Sequence, residues 1–90
     1  MVTDAQKIAA FDAVGDRTRF KLLTLMKENP NICVSELAGA VQITTAGASQ
    51  HLKILEQSGV LVRTRDGPRI CYRLNESDPF VMKLMTLLSV

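Results

Sequence analysis

Hydrophobic positions in this chain follow a helical period through most of its length, change to a period of two near residue 60, and return to a helical period at the end. Ala5, Ile8, Ala9 and Phe11 recur at helical spacing and predict a first helix over 3–14, ending at Gly15. Phe20, Leu22, Leu23, Leu25 and Met26 make a second helix, 17–27, apolar over a broad face, with Asp16 as its N-cap. Asn29-Pro30-Asn31 then breaks the helix, because proline lacks a backbone donor and its ring blocks a continuing turn.

Residues 34–55, VSELAGAVQITTAGASQHLKIL, organise the rest. Leu37 and Val41 give a short helix one apolar edge, Ser35 is placed to cap it, and Gln42-Ile43 makes a tight turn. Thr44 is the next N-cap, and a second helix follows over 45–58. This is the sequence form of a helix-turn-helix, whose second helix lies in the DNA major groove. At 100° per residue, Ala48, Leu52 and Leu55 share one face of that helix. The opposite face carries Ala46, Ser49, Gln50, Lys53 and Gln57, side chains of the kinds that reach base edges and phosphates. His51 falls at the border, where packing or phosphate contact outweighs catalysis because no acid or nucleophile is placed to work with it. Gly47 weakens the helix by roughly 1 kcal/mol relative to alanine, and either admits a close backbone approach or is neutral variation.

Two alternating runs, 60–65 and 69–74, flank Asp66-Gly67-Pro68, a hairpin signal. Ile70, Tyr72 and Leu74 share one strand face, Arg69, Cys71 and Arg73 the other, and Val60 and Val62 oppose Arg63 and Arg65. The expectation is a wing with an apolar face and an arginine face, whose tip reaches the phosphate backbone or a minor groove. A last helix, 80–89, has Pro79 in its first turn and is polar only at Lys83, Thr86 and Ser89. The predicted architecture is mainly α with a small β-hairpin wing, a winged helix-turn-helix in the order α-α-α-α-β-β-α.

Ninety residues point to one domain over 1–90. A chain of this size buries only about 60–65% of its unfolded surface. Yet 47% of its residues are hydrophobic, so part of its apolar surface calls for a partner. A last helix apolar on most sides favours a two-fold dimer. No apolar run is long enough to cross a membrane and the N-terminus lacks a signal-peptide core, which makes the cytoplasm the expected location. The overall charge of +2 is small, but the positive charge is concentrated. Lys53, Arg63, Arg65, Arg69 and Arg73 outnumber Glu56 and Asp66 over 45–74, while charges over 1–44 cancel. Clustered cations beside a helix-turn-helix are the footprint of nucleic-acid binding. Nothing supports an enzyme: no carboxylate pair, nucleophile–base pair or phosphate-cradling loop is present.

Cys33 and Cys71 are the only cysteines and His51 the only histidine, so the chain cannot supply a structural zinc site and no cofactor is expected. Cys33, near a helix N-terminus, reads either as a reactive redox thiol or as a small buried hydrophobe. Cys71, on the arginine face, reads as exposed. The two belong to different elements, which argues against a disulfide between them in the cytoplasm and leaves an intersubunit bond open.

The chain resembles the ArsR/SmtB family of winged-helix repressors over nearly its whole length. The matching segments are VGDRTRFKLL (14–23), ICVSELA (32–38), SQHLKIL (49–55), GVLV (59–62) and the wing ending Tyr72-Arg73-Leu74. The resemblance implies a homodimer formed by the first and last helices, a palindromic operator in double-stranded DNA, and release by an inducer or by thiol modification. It implies that Thr45, Ala46, Ser49, Gln50, His51 and Lys53 face DNA, with Thr44 at the cap and the wing arginines Arg63, Arg65 and Arg69 alongside. Metal sensors of the family often carry Cys-Val-Cys at the third helix or Asp and His pairs on the last. Here Ser35 replaces the second cysteine, the last helix has no His, and Asp78 is the only acid near it. The resemblance therefore implies a member with neither familiar metal site and an undetermined inducer. The alternative is a winged helix used as a protein-interaction module without DNA binding.

Overall fold

A computed structural model describes residues 2–89; the two terminal residues of the expected domain lie outside the described residues. The elements are helices α1 (Asp4–Val14) and α2 (Arg17–Glu28), strand β1 (Ile32–Cys33), helices α3 (Val34–Val41) and α4 (Thr45–Gln57), strands β2 (Leu61–Asp66) and β3 (Arg69–Leu74), and helix α5 (Pro79–Leu88).

Local chemistry explains the helix boundaries. Thr3 and Gln6 form a reciprocal capping box at α1. Asp16 caps α2 by accepting from the N–H groups of Thr18 and Arg19, both at 3.0 Å. The Thr44 hydroxyl accepts from Gly47 N–H at 3.0 Å at α4, and Asp78 accepts from Phe80 N–H at 3.0 Å at α5. A Cβ added to Gly47 would meet that same Thr44 hydroxyl at 3.1 Å, so its close neighbour is the cap and not another element's backbone. Helix α3 ends in a left-handed residue, Gln42 (φ 61°), and Ile43 N–H reaches back to the Ala38 carbonyl at 3.0 Å. This closes the tight turn before α4.

Ser35 is not the cap of α3. The helix begins two residues earlier than that role requires, with Cys33 at the N-cap and the Glu36 carboxylate accepting from Cys33 N–H at 3.2 Å. The cause is β1, a strand too short to show a period of two. It pairs antiparallel with β3, holds Ile32 and Cys33 extended, and makes a three-stranded sheet in the order β1-β3-β2 where the sequence predicts two strands.

The hairpin loop is Gly67-Pro68, since Asp66 pairs with Arg69. Gly67 has φ 62°, and a proline after it excludes positive φ at the next position, which selects the primed turn that begins with glycine. Leu22, Leu23, Leu37, Ala48, Leu52, Leu55, Val60 and Val81 are fully or almost fully buried and join α2, α3, α4 and α5 to the base of the wing. Leaving Leu52 or Leu55 exposed instead would forfeit roughly 2 kcal/mol each. The buried face of α4 is therefore the one the helical wheel assigns.

Candidate nucleic-acid interface

With Ala48, Leu52 and Leu55 in the core, Thr45, Ala46, Ser49, Gln50 and Lys53 are all exposed on the outward side of α4. Thr44, directly before them, is exposed but spends its hydroxyl on the cap. A shallow cavity of about 230 Å³ joins this surface to the wing, lined by Cys33, Ser35, Thr45, Ser49, Arg69 and Ile70. The N-terminus of the recognition helix and the hairpin thus form one continuous surface.

His51 departs from that set. Its side chain turns toward the α1–α2 corner, where Nδ1 lies 3.1 Å from an Arg19 guanidinium nitrogen and 3.9 Å from the Asp16 carboxylate. A guanidinium only donates, so Nδ1 accepts and the ring carries its proton on Nε2. On the wheel His51 lies across the core stripe from Thr45 and Ser49, which is why a border position became a partly buried contact with the α1–α2 corner.

The wing differs from expectation in register. Arg63 pairs with Tyr72 and Arg65 with Ile70, whereas Arg69 pairs with Asp66 and Arg73 with Val62. Directly paired residues share a face. Arg63 and Arg65 therefore stand on the Ile70–Tyr72 face, and Arg69 and Arg73 on the other, so there is no single arginine face. Periodicity assigns faces within each strand; only the register relates one strand's faces to the other's. Arg69 is also ion-paired with Glu36 of α3 at 2.9 Å, both side chains being about half exposed. Arg63, Arg65 and Arg73 are exposed.

Cys33 and Cys71 stand opposite each other in the β1–β3 register and form a disulfide. This overturns the reading of two separate thiols and of an exposed Cys71, which is 1% exposed. Residues in different elements became partners because β1 places them side by side. Both sulfurs are taken up in this bond. Among the described residues, no group of three His, Cys, Asp or Glu side chains gathers to hold a metal.

Beside the β1–β3 pairing itself, the bond is one of three side-chain ties between the wing and residues 31–36. The others are Glu36–Arg69 and a hydrogen bond from the Thr64 hydroxyl to Asn31 Oδ1 at 3.1 Å. Burial, reinforced by the negative charge of Glu56, pushes the Tyr72 phenol above its ordinary value of 10.0. Asp16 is held below its ordinary 3.8, first by the Arg19 backbone N–H it accepts, against a smaller opposing effect of burial, and then by the charge of Arg19.

Three residues escaped the sequence reading. Arg19 sits within the VGDRTRFKLL match but shows no sign of a long-range role. Glu36 stands three residues after Cys33, the spacing of a capping box, though cysteine is not a usual cap. Arg73 counted toward the charge without being singled out as a contact.

The α1 and α5 surfaces also matter. The Phe11 and Phe80 rings pack edge to face at 5.7 Å and join the two helices. Ile8, Phe11 and Leu87 are nevertheless 61%, 51% and 65% exposed. No helix among the described residues is long and apolar enough to cross a membrane.

Residues 15–62 match the family described as winged helix-turn-helix DNA-binding. The chain is 30% identical over 66 residues to a cadmium resistance transcriptional regulatory protein CadC homolog of Staphylococcus aureus, covering 73% of this chain and 54% of that protein. It is 32% identical over 72 residues to the arsenical resistance operon repressor of Escherichia coli K12, covering 80% and 62% respectively. The chain thus spans between about half and two thirds of the length of these curated relatives. A homodimeric winged helix-turn-helix DNA-binding domain from Mycobacterium bovis, a possible ArsR-family regulator, superposes with a TM-score of 0.84 at 26% identity, covering 94% and 76%. The AntR antimony-specific transcriptional repressor superposes at 0.76 with 29% identity, covering 97% and 79%.

Proposed function

Because this chain belongs to the winged helix-turn-helix DNA-binding family, and within it to the ArsR/SmtB regulators, we propose that it is a dimeric, sequence-specific transcriptional repressor acting on a palindromic operator in the cytoplasm. The observation that carries the reading is the continuous surface formed by the exposed short and amide side chains of α4 and the arginine-bearing hairpin.

In this reading α4 enters the major groove. Gln50 and Ser49 read base edges, Thr45 and Ala46 make the closest approach, and Lys53 meets phosphate. Arg63 and Arg65 reach the backbone or the adjacent minor groove on one side of the wing, and Arg73 adds charge on the other. Arg69 acts through its pair with Glu36, bracing the hairpin. The exposed apolar residues of α1 and α5 bury against a second copy, which places two recognition helices on half-sites about one helical turn or a multiple apart. No step of catalysis is assigned to any residue.

Selection of bound fragments from sheared genomic DNA tests this, followed by binding measurements across a salt series. Recovery of an inverted repeat, with affinity falling steeply as salt rises, is the expected result. Absence of any enriched sequence from folded, dimeric protein would refute operator recognition and move the functional reading toward a protein-interaction role.

A further inference from the structure

Helices α1 and α4 meet across small residues of α1, Ala10 and Ala13, which are buried in the same core as Ala48, Leu52 and Leu55. A groove of about 340 Å³ lies between them, lined in part by Ala9, Ala13, Arg19, Ile54, Gln57 and Ser58. Small side chains on α1 provide little ridge-and-groove keying at this seam, although α4 is seated in the core by Ala48, Leu52 and Leu55. Arg19 supplies a polar bracket at the end of that groove. Its Nε donates to the Ala13 carbonyl in the last turn of α1 at 2.6 Å, and its Nη1 donates to His51 Nδ1 on α4 at 3.1 Å. The Asp16 carboxylate lies 4.0 Å from Nη2 and 3.9 Å from the imidazole. The Arg19 side chain is 15% exposed, while those of His51 and Asp16 are 30% and 36% exposed, so the guanidinium is largely covered at a partly solvated corner.

We infer that Arg19 is a positioning residue that fixes the tilt of the recognition helix against the dimerisation helix, so that operator spacing is set through the Arg19–His51 contact. This rests on the DNA-binding reading above and assigns its spacing selectivity to residues that do not face DNA. Two half-sites are read together only if both copies of α4 hold one angle to the dimer axis. Each α4 is tied to α1 by one guanidinium making two directional hydrogen bonds. Removing either end takes away this polar tie between α1 and α4 while leaving the exposed face of α4 intact.

Two measurements on the full chain test this. The single histidine makes the imidazole nitrogens directly assignable by long-range proton–nitrogen correlation. Nδ1 is expected as an unprotonated acceptor, and Arg19→Met is expected to shift its resonance toward a mixture of tautomers. The second measurement is affinity for the selected operator and for versions with one base pair added or removed between half-sites. For the wild type, each spacing change is expected to weaken binding about tenfold. Arg19→Met and His51→Leu are expected to lose about tenfold on the native spacing and to discriminate spacings by less than about threefold. His51→Asn, whose Oδ1 can replace Nδ1 as acceptor, is expected to keep the wild-type spacing preference. An overall loss of stability alone would not relax spacing selectively. If Arg19→Met does not fold, the Asn and Leu variants at position 51 decide. An unchanged spacing preference in folded His51→Leu, or an unmoved Nδ1 resonance in folded Arg19→Met, overturns the proposal. A wild type with no operator preference at any spacing overturns the DNA-binding reading and this inference with it, whereas a wild type that selects an operator while Arg19→Met keeps the same spacing preference overturns this inference alone.

Discussion

The recognition helix and the wing border the same surface but are held in opposite ways. Helix α4 is anchored by apolar burial, with Ala48, Leu52 and Leu55 wholly inside, and by one polar bracket on its inner side. Beyond Leu61, Cys71 and Tyr72 the wing has little core of its own, and it is tied sideways to residues 31–36 by its pairing with β1, a disulfide, an ion pair and a hydrogen bond. A helix held by packing offers a fixed array of side chains and suits base reading. A hairpin held by a few ties offers charge at a controlled distance and suits backbone attraction.

The largest expected effect breaks this comparison at its strongest tie. The Cys33–Cys71 bond closes a loop with a sequence separation of 38. Its loss removes a constraint on the unfolded chain worth about 3–4 kcal/mol. A urea titration with and without dithiothreitol is expected to show that loss. In the reduced protein that stays folded, affinity falls alike for all DNA sequences while base preference is kept. A changed base preference on reduction would show that the wing also positions α4.

Next come substitutions that separate the two regions. Gln50→Ala is expected to cost about 1–3 kcal/mol at one operator position and relax preference there. Arg65→Ala is expected to weaken all sequences alike and lower the salt slope by about one. Equal, uniform losses from both, measured by fluorescence anisotropy on matched and mismatched duplexes, would abolish the division of roles.

Smaller is the effect of Glu36→Gln, which removes a half-exposed ion pair and is expected to cost about 0.5 kcal/mol or less in a thermal melt. It frees Arg69, so DNA affinity at low salt is expected to hold or rise slightly; a marked fall would mean that Arg69 needs its partner to be positioned.

The smallest effect concerns the corner beneath α4. Asp16 is held below 3.8 in the folded protein, so its contribution to stability is present above that value and is lost as pH falls through its lower folded-state value. Thermal melts from pH 6 to pH 2 are expected to show this loss in the wild type, and Asp16→Asn, which keeps a capping oxygen, is expected to flatten that part of the profile. An identical profile for the variant would remove Asp16 from the acid response.

Much of this was legible along the chain because it depends on local chemistry. Asp16 and Thr44 cap helices wherever they precede an apolar helical run, and the break at Pro30 needs no tertiary partner. The core stripe of α4 follows from a period of 3.6, and the family match follows from short segments in order. Ser35 was misplaced as a cap because β1, only two residues long, carries no periodic signal, and its existence depends on β3 arriving beside it.

The sequence by itself determined the helices, the hairpin and the outward face Ala46, Ser49, Gln50 and Lys53, since each depends on spacing within one element. The tertiary structure alone decided which contacts join elements distant in the chain. It paired Cys33 with Cys71 across 38 positions, split the arginines between two wing faces by register, turned Arg69 onto Glu36, and drew His51 inward to Arg19. Period and propensity act over a few residues, whereas register and side-chain pairing are set by which surfaces meet when the core closes.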